Sequence, residues 1–344
     1  MFGKDIAIDL GTATTIVYIK GSGILVNEPT IVALERRSNK VFAVGMEARR
    51  MAGRTADDIY ICRPLKDGVI AEFSVTESVL SYFIDKALNR SKSFWSFLAG
   101  KPRVIVGIPS GATQVEKRAV EEAAIASGAR EVYLIDEPMA AAIGAGLPVM
   151  EPRGCMVLDI GGGTTEAAVI SMGGTVASMS SRIAGDEMNE EVSRFFRHHY
   201  NLLIGDYTAE DIKINIGSAY PYNGVKTTQV KGRDLISGLP RMVEANSDEI
   251  RNALQKIFIG IADLVKSALE ITPPELAADV LDRGMMLAGG GALIKGLDQF
   301  LTREIGIPVH IAPQALESVA LGAGKALANM SIFRKVLFSS RTSR

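Results

Sequence analysis

The sequence predicts an α/β protein in which two related domains face each other across a cleft. First, short apolar strands alternate with amphipathic helices along the chain, which is the pattern of α/β architecture. Second, two hairpin segments about 150 residues apart repeat one pattern of apolar, acidic, glycine and threonine residues. Third, another glycine-rich turn, at 289–291, follows an apolar strand and precedes a helix.

The two repeated segments are "DIAIDLGTATTIVYIKG", which begins at Asp5, and "CMVLDIGGGTTEAAVISMGG", which begins at Cys155. Each reads as an apolar strand, an aspartate, a glycine-bearing turn and a second strand, which predicts a β-hairpin. Asp9 and Asp159 occupy the same place in the two hairpins. A duplication of this kind predicts two domains of related fold.

Capping signatures mark two helices in the first half of the chain. Ser74 and Glu77 fit a capping box, and Thr113 and Glu116 fit another before "VEKRAVEEAAIASGA". Gly128 is suited to end the second of these helices. The segments "RVIVGIPS" and "EVYLIDEP" are predicted to be buried strands.

In the second half, "DEIRNALQKIFIGIADLVKSAL" predicts a long amphipathic helix that Pro273 and Pro274 close. The segment "GMMLAGGGALIKGLDQFL" predicts a strand, a triple-glycine turn and a helix.

Composition narrows the class of protein. The 344 residues are 47% hydrophobic and 22% charged, with a net charge of −1, so no global field attracts nucleic acid and no nucleic-acid partner is expected. Cys62 and Cys155 are predicted to be reduced thiols of a cytoplasmic protein. The most apolar run, "PMAAAIGAGLPVM", is shorter than the ~20 residues that a spanning helix needs. Any membrane contact is therefore expected at the surface.

The glycine turns indicate phosphate binding, because glycine lets backbone N–H groups approach a phosphate closely. Asp9 and Asp159, converging from facing domains, can hold a hydrated Mg²⁺ ion, and the threonines at 12, 14, 15, 164 and 165 offer hydroxyl groups. Neither loop has a Walker-type lysine, so a P-loop enzyme is excluded. Either aspartate alone could simply cap a turn, whereas the duplicated context favours a nucleotide site.

At this point the chain resembles a known family, the actin-like ATPases, and within them the bacterial shape-determining actins of the MreB family. The resemblance covers nearly the whole chain in order, in the motifs "DLGTATT", "DEPMAAAIGAGLP", "DIGGGTTE", "IAGDEMNEE", "TPPELAADVLDRG" and "LAGGGAL". It implies two ribonuclease-H-like domains, each with an inserted subdomain, and ATP in the central cleft. Domain I would comprise residues 1–148 plus 315–344, with subdomains IA and IB, and domain II would comprise residues 149–314, with subdomains IIA and IIB.

The resemblance also implies roles for individual residues. Glu137 would activate the attacking water, Thr164 would help to position that water, and Asp9 and Asp159 would hold Mg²⁺ through water. The expected nucleotide contacts are Thr12, Ala13 and Thr14 in the first phosphate loop; Gly161, Gly162, Gly163 and Thr164 in the second; Glu210, Asp211, Ile212 and Lys213 at the nucleoside; and Gly289, Gly290, Gly291, Ala292 and Leu293 beside the base.

Without the family, Glu210 and Lys213 would read as an exposed ion pair one helical turn apart. Two positions depart from the family pattern. Thr14 stands where asparagine is usual, and Asp136 replaces the first glutamate of the usual Glu-Glu-Pro. With no obvious arginine finger, hydrolysis is expected to be slow.

One other function within the superfamily, that of a small-molecule kinase, remains open from the residues alone, and a chaperone-like ATPase is not expected. A small-molecule kinase would need a base for an acceptor hydroxyl, and the motifs offer no further candidate. A chaperone-like ATPase would need a peptide-binding domain after the nucleotide domain. The resemblance instead implies homopolymers of paired protofilaments on the inner face of the cytoplasmic membrane, which work with elongation proteins such as RodZ and MreC.

The segment "SKSFWSFLAGKPR", residues 91–103, holds the chain's single tryptophan. Phe94, Trp95, Phe97 and Leu98 lie among the basic residues Lys92, Lys101 and Arg103. The plain alternative is that these side chains cover the edge of the core or are buried at a subunit contact, whereas the family implies a loop that dips into the inner leaflet. For the basic C-terminal segment "SIFRKVLFSSRTSR", both docking on its own domain and membrane contact remain open.

Overall fold

The structure is a computed structural model that describes residues 5–55, 57–66, 68–70, 72–90 and 101–338. The strands are β1 Ile6–Leu10, β2 Thr14–Ile19, β3 Gly23–Pro29, β4 Val32–Glu35, β5 Val41–Val44, β6 Ile59–Cys62, β7 Leu65–Lys66, β8 Val69–Ile70, β9 Arg103–Ile108, β10 Glu131–Asp136, β11 Cys155–Ile160, β12 Thr165–Ser171, β13 Gly174–Ser181, β14 Leu202–Leu203, β15 Thr227–Asp234, β16 Pro240–Asn246, β17 Met285–Ala288 and β18 Val309–Ile311. The helices are α1 Met46–Met51, α2 Phe73–Arg90, α3 Gln114–Ala126, α4 Glu137–Gly144, α5 Gly185–His199, α6 Asp206–Ile216, α7 Ser247–Glu270, α8 Pro274–Arg283, α9 Leu297–Ile305, α10 Ser318–Ala328 and α11 Met330–Phe333.

Two five-stranded sheets share one plan. In the order β10-β9-β1-β2-β3, the hairpin β1–β2 continues into antiparallel β3, and β9 and β10 add in parallel on the other side. In the order β13-β12-β11-β17-β18, the hairpin β11–β12 and antiparallel β13 are likewise followed by parallel β17 and β18. Both predicted hairpins are confirmed, and the repeat in sequence is a repeat in topology.

Two small sheets extend from this framework. Strands β5, β4 and β6, with α1, follow the first hairpin, and strands β14, β15 and β16 follow α5. Each small sheet is inserted in the chain between elements of a large sheet, as expected for the inserted subdomains. The domain limits at 148/149 and 314/315 stay a prediction.

Alternate residues of each central strand face two different cores. Ile6 and Ile8 of β1 pack with α2 and α3, whereas Ala7 faces a core between the two large sheets. Val157 of β11 reaches the same middle core from the other sheet, and its neighbour Leu158 faces a third core with α5, α6 and α7. The two sheets therefore share a buried layer, which contains α4 and α10.

That shared layer explains the apolar run "PMAAAIGAGLPVM". Met139 to Ile143 of α4 are buried, and α4 crosses α10 at glycines. A Cβ on Gly144 would collide with the carbonyl of Ser318, and one on Gly322 would collide with the carbonyl of Ala140. The run is a buried helix between two sheets, and no helix in the described ranges is long and apolar enough to cross a membrane.

Some local expectations are confirmed and others are wrong. The capping box of Thr113 and Glu116 is present, and Gly128, with a φ of 98°, follows the end of α3. The box of Ser74 and Glu77 does not form, because α2 already begins at Phe73. Helix α7 matches the long predicted helix and ends before Pro273.

The segment 91–103 is only partly described. Phe94, Trp95, Phe97 and Leu98 lie outside the described residues. Arg103, expected to flank a membrane loop, instead begins β9, and its Nη2 lies 2.6 Å from Oδ2 of Asp5. Asp5 thus engages one side of the guanidinium, and the contact of Arg103 with lipid headgroups stays a prediction.

The start of the C-terminal segment docks on the first sheet. Phe338 exchanges two backbone hydrogen bonds with Leu134 of β10, and Val336 is buried in the middle core. Of the two alternatives for the C-terminal segment, docking on its own domain is therefore confirmed as far as residue 338.

Candidate active site

A cavity of about 380 Å³ opens where the carboxyl ends of the two large sheets meet. The ends of β1, β11 and β17 and the start of α4 all reach it. The predicted site residues that line it are Asp9, Thr12, Ala13, Thr14, Glu137, Asp159, Gly161, Gly162, Gly163, Thr164, Glu210, Lys213, Gly289, Gly290, Gly291 and Leu293. Segments more than 250 residues apart in sequence thus form one site.

The two hairpin turns touch each other at the floor of the cavity. A Cβ built on Gly162 would lie 2.6 Å from the Cβ of Ala13. In the second turn, the Gly161 N–H donates to the Thr164 carbonyl at 2.8 Å. Only glycine at 162 permits this approach, so the turns present their backbones to one shared space.

The short hairpin of β7 and β8 lies against both turns. The N–H of Gly68 donates to Oγ1 of Thr12 at 3.1 Å, and a Cβ on Gly68 would lie 2.9 Å from Cγ2 of Thr164. Gly68 has a φ of 75°, a conformation that favours glycine. The sequence analysis did not identify this residue.

Two of the five threonines that were expected to offer hydroxyls do not face the cavity. The hydroxyl of Thr15 pairs with that of Thr30 at 2.8 Å, and the hydroxyl of Thr165 donates to the carbonyl of Ile183 at 2.7 Å. Alternation along β2 and β12 turns these side chains inward.

Three carboxyl groups share the cavity wall. Burial raises the pKa of Asp9 to about 7. Burial, followed by repulsion from Asp9 and Glu166, raises the pKa of Asp159 well above its ordinary value. Burial, followed by repulsion from Glu166 and the two aspartates, does the same for the pKa of Glu137. The site thus crowds three acidic groups into a poorly solvated place, which disfavours their ionisation.

In the described part of the chain, none of the ion pairs involves Asp9, Glu137 or Asp159. Crowded carboxylates without a protein cation fit a divalent cation, and hard carboxylate oxygens are the donors that Mg²⁺ prefers. The described residues hold no cluster of three or more direct metal ligands. Mg²⁺ usually keeps several waters and takes one or two protein carboxylates, which Asp9 and Asp159 could supply.

A fourth carboxyl group lies behind this wall. Glu166 stands opposite Asp159 in the β11–β12 ladder and does not line the cavity. Ser110, which follows β9 of the first sheet, donates to Oε1 of Glu166 from its hydroxyl at 2.8 Å and from its N–H at 3.1 Å. This contact joins the two halves of the molecule beside Glu137.

Helices α5 and α6 supply the other side of the cavity. Lys213 Nζ donates to the Gly185 carbonyl at 3.0 Å, and burial lowers the pKa of this lysine. Ile214 and Leu293, both more than half exposed, present apolar surface to the cavity. Apolar surface beside a half-buried lysine can accept a flat base next to polar groups.

Three predicted contacts are not part of the cavity. Asp211 is exposed to solvent, and Ile212 is buried in the core of the second half. Ala292 is also buried in that core, between the lining residues Gly291 and Leu293. The helical period of α6 explains the first two, because it aligns Glu210 with Lys213 and Ile214 instead.

The cavity also has lining residues that the sequence analysis missed. Arg49 reaches it from α1, and no local signal marks that residue. Gly185, Asp186 and Asn189 lie within the motif "IAGDEMNEE", so the signal was available. Asn189 is 8% exposed, and its Oδ1 has no hydrogen-bond partner in the described structure.

The chain has the actin-like ATPase fold. Its two large sheets each begin with a β-hairpin, share a buried helical layer and meet at a cavity that contains paired aspartates and glycine turns. MreB5 of Spiroplasma citri has this fold, and its structure bound to AMPPNP matches with a TM-score of 0.90 and 37% identity over 96% of this chain and 98% of that chain. The MamK double helical filament matches at 20% identity with a TM-score of 0.78, over 94% and 99% of the two chains.

The sequence comparisons identify one family within this fold. The profile of the MreB/Mbl protein family matches residues 3–335. The chain is 52% identical to the cell shape-determining protein MreB of Escherichia coli K12 over 343 residues, which covers 98% of this chain and 97% of that protein. It is 50% identical to the cell shape-determining protein Mbl of Bacillus subtilis over 330 residues, or 96% and 97% of the two chains. The chain belongs to the MreB/Mbl family.

Proposed function

We propose that this chain is a cell-shape-determining cytoskeletal protein that binds ATP in the central cavity, polymerises with ATP and hydrolyses it slowly. The observation that carries the proposal is the meeting of Asp9, Asp159 and Glu137 between two touching glycine turns. Family membership supports the same function, because the relatives are named for cell shape and MreB5 has been solved with ADP and with AMPPNP.

The two glycine turns would bind the phosphates. Ala13 and Gly162 bring the two turns into direct contact, so backbone N–H groups from both turns could reach one phosphate chain. Lys213 and Glu210 would contact the nucleoside, with Ile214 and Leu293 on either side of the base. Mg²⁺, held by Asp9 and Asp159 through water, would neutralise phosphate charge.

Glu137 would act as the general base. Burial, followed by repulsion from Glu166 and the two aspartates, raises the pKa of Glu137 and so makes its carboxylate a stronger base. As the water oxygen bonds to the γ-phosphorus, the bond to the bridging oxygen breaks, ADP leaves, and the carboxylate accepts the proton of the water. Thr164, one residue after the second glycine turn, would help to orient that water.

A slow reaction fits the cations around this site. Arg49 is the one arginine among the described residues that line the cavity, and it pairs with Glu210 on the proposed nucleoside side. The described residues therefore offer no further lining arginine for the proposed phosphate end, where an arginine finger would accelerate phosphoryl transfer about 10³–10⁵-fold. A slow ATPase can serve as a timer on a polymer.

The filament is proposed to lie on the inner face of the cytoplasmic membrane, as paired protofilaments associated with elongation proteins such as RodZ and MreC. The support is the family and the composition of residues 91–101, which combine three aromatic residues with two lysines. Trp and Phe suit the membrane interface, and lysines are attracted to anionic lipid. Many such segments on one polymer would add avidity to a weak contact.

The experiment is high-speed sedimentation and electron microscopy of the purified chain with ATP, with ADP and without nucleotide, alongside measured phosphate release. A polymer should pellet above a critical concentration with ATP, and phosphate should appear over minutes. A chain that binds ATP, stays in the supernatant at every concentration and transfers phosphate to a small acceptor would instead be a kinase.

A further inference from the structure

Two ion pairs connect the two sides of the cavity mouth. Nη2 of Arg49 lies 2.8 Å from Oε2 of Glu210, and Nη1 of Arg63 lies 2.8 Å from Oδ1 of Asp186. Both arginines belong to the β4–β5–β6 side, on α1 and directly after β6. Both acids belong to the other half of the molecule, on α6 and α5.

Tyr207 adds an apolar contact to the same seam. The Arg49 guanidinium stands 4.9 Å from the centroid of the Tyr207 ring, a cation–π distance. Tyr207, from α6, also packs against the small core beneath β4, which includes Ala33 and Ala48. Ion pairs and the packing of Tyr207 therefore both hold the two sides of the seam together.

The seam borders the nucleotide site directly. Arg49, Asp186 and Glu210 all line the cavity, and Glu210 is one turn of α6 before Lys213. A nucleoside in the cavity would lie beside these groups. For the mouth to widen on this side, Arg49 must leave Glu210 and Arg63 must leave Asp186.

We propose that Arg49 and Arg63 are positioning residues that hold the two sides of the mouth together beside the bound nucleotide and so set the rate at which nucleotide leaves. This inference rests on the proposed nucleotide-binding function. The pairs are partly exposed, with side-chain exposures of 33% and 22% for Arg49 and Glu210 and of 36% and 31% for Arg63 and Asp186. Partly exposed ion pairs are weak, so they can break often enough to let the mouth open and close reversibly.

The size of the effect follows from the strength of partly exposed ion pairs. Loss of one pair should speed nucleotide release about two- to fivefold, and loss of both should speed it about five- to twentyfold. The loss of Arg49 should be the larger single effect, because it also removes the contact with Tyr207.

The test is stopped-flow release of N-methylanthraniloyl-ATP, chased with unlabelled ATP. The variants are Arg49→Gln, Arg63→Gln, the double variant and Arg63→Lys. Arg50→Gln is the matched control, because Arg50 is the next residue of α1 and is exposed. Nucleotide release should be faster in both Gln single variants and fastest in the double variant. It should be unchanged in the Arg50→Gln control. Arg63→Lys keeps the positive charge and should release nucleotide at close to the wild-type rate.

The dependence of the release rate on ionic strength distinguishes loss of the ion pairs from a general loss of structure. Salt screens partly exposed pairs, so wild-type release should quicken from 50 mM to 500 mM KCl, whereas the double variant should respond little. If the double variant binds the probe and releases it at the wild-type rate, the inference is wrong. If the wild-type chain does not bind the probe at all, the proposed function fails. Should the double variant not fold, the two single variants and the salt series decide the matter.

Discussion

Gly162 and Ala13 bring the two halves of the molecule into contact at the glycine-bearing turns of the cavity. A Cβ on Gly162 would lie 2.6 Å from the Ala13 Cβ and 3.0 Å from the Ala13 nitrogen. These residues belong to the two hairpin turns, so the distance between the turns depends on the absence of one side chain.

Gly162→Ala should therefore weaken ATP binding. The added methyl group must push the turns apart, and overpacking of this kind costs about 1–3 kcal/mol, or roughly a five- to 150-fold loss of affinity. Equilibrium titration with a fluorescent ATP analogue measures it. Gly205→Ala is the control, because a Cβ on Gly205 meets nothing within 4 Å. Equal affinities in the two variants would mean that the turns do not have to touch around the phosphates.

Glu137→Gln should keep ATP binding and slow phosphate release at least about 100-fold, because a general base typically contributes 10²–10⁴-fold. The amide keeps the shape of the side chain and cannot accept the proton. Single-turnover phosphate release measures the chemical step.

Glu122→Gln is the matched control for Glu137, because Glu122 is an exposed residue on α3, the preceding helix in the chain. It should hydrolyse ATP at the wild-type rate. If Glu137→Gln does so as well, the activating carboxylate has been assigned wrongly.

The acidic cavity wall predicts how the stability of the nucleotide-free protein depends on pH. The pKa of Asp9 is 3.8 in an ordinary setting and about 7 in the fold. Between these values the folded chain binds more protons than the unfolded chain, so the free energy of unfolding falls as the pH rises. The raised pKa values of Asp159 and Glu137 act in the same direction.

Asp9→Asn removes one of these charges. At pH 8 without Mg²⁺, the variant should melt about 5 °C higher than the wild type, and its melting temperature should change less between pH 5 and pH 8. Asp282→Asn, at an exposed position on α8, should match the wild type at both pH values. A wild-type melting temperature that rises steadily from pH 5 to pH 8 would contradict the prediction.

The sequence was sufficient for residues whose role depends on local pattern. Asp9 and Asp159 were found because a strand, an acid and a glycine turn are adjacent in the chain and occur twice. The role expected of Glu137 came instead from the resemblance to the family, in the motif that begins at Asp136. The two sheets follow from the same local signals, since each hairpin starts its own sheet.

Residues that reach the site from a distance could not be predicted in this way. Gly68 and Arg49 enter from the first-half segments between β3 and α2, and only the packing of the two halves brings them to the cavity. Ser110 meets Glu166 for the same reason. By contrast, the assignments of Asp211 and Ile212 could have been rejected from the helical period alone, which places both off the face shared by Glu210 and Lys213.

The proposed membrane contact predicts a loss of lipid binding that leaves the polymer intact. Changing Phe94, Trp95 and Phe97 together to serine should abolish co-sedimentation with anionic vesicles, because each large apolar side chain buried in lipid is worth roughly 1.5–3 kcal/mol. ATP-dependent filaments should still form in solution. Phe42→Ser is the matched control, because Phe42 is 64% exposed and lies on a different surface strand, β5.

Trp95 makes the same contact visible in the unaltered protein, because it is the chain's one tryptophan. Its emission should shift to the blue when anionic vesicles are added, since the indole ring then leaves water for the lipid interface. High salt should reduce the shift by screening Lys92 and Lys101, whereas Arg103 is already paired with Asp5 and should contribute little. Lys101→Gln should therefore weaken vesicle binding more than Arg103→Gln does, provided that the second variant stays folded. An emission maximum that is already blue without lipid, and that vesicles do not move, would mean that Trp95 packs against protein and that the membrane contact lies elsewhere.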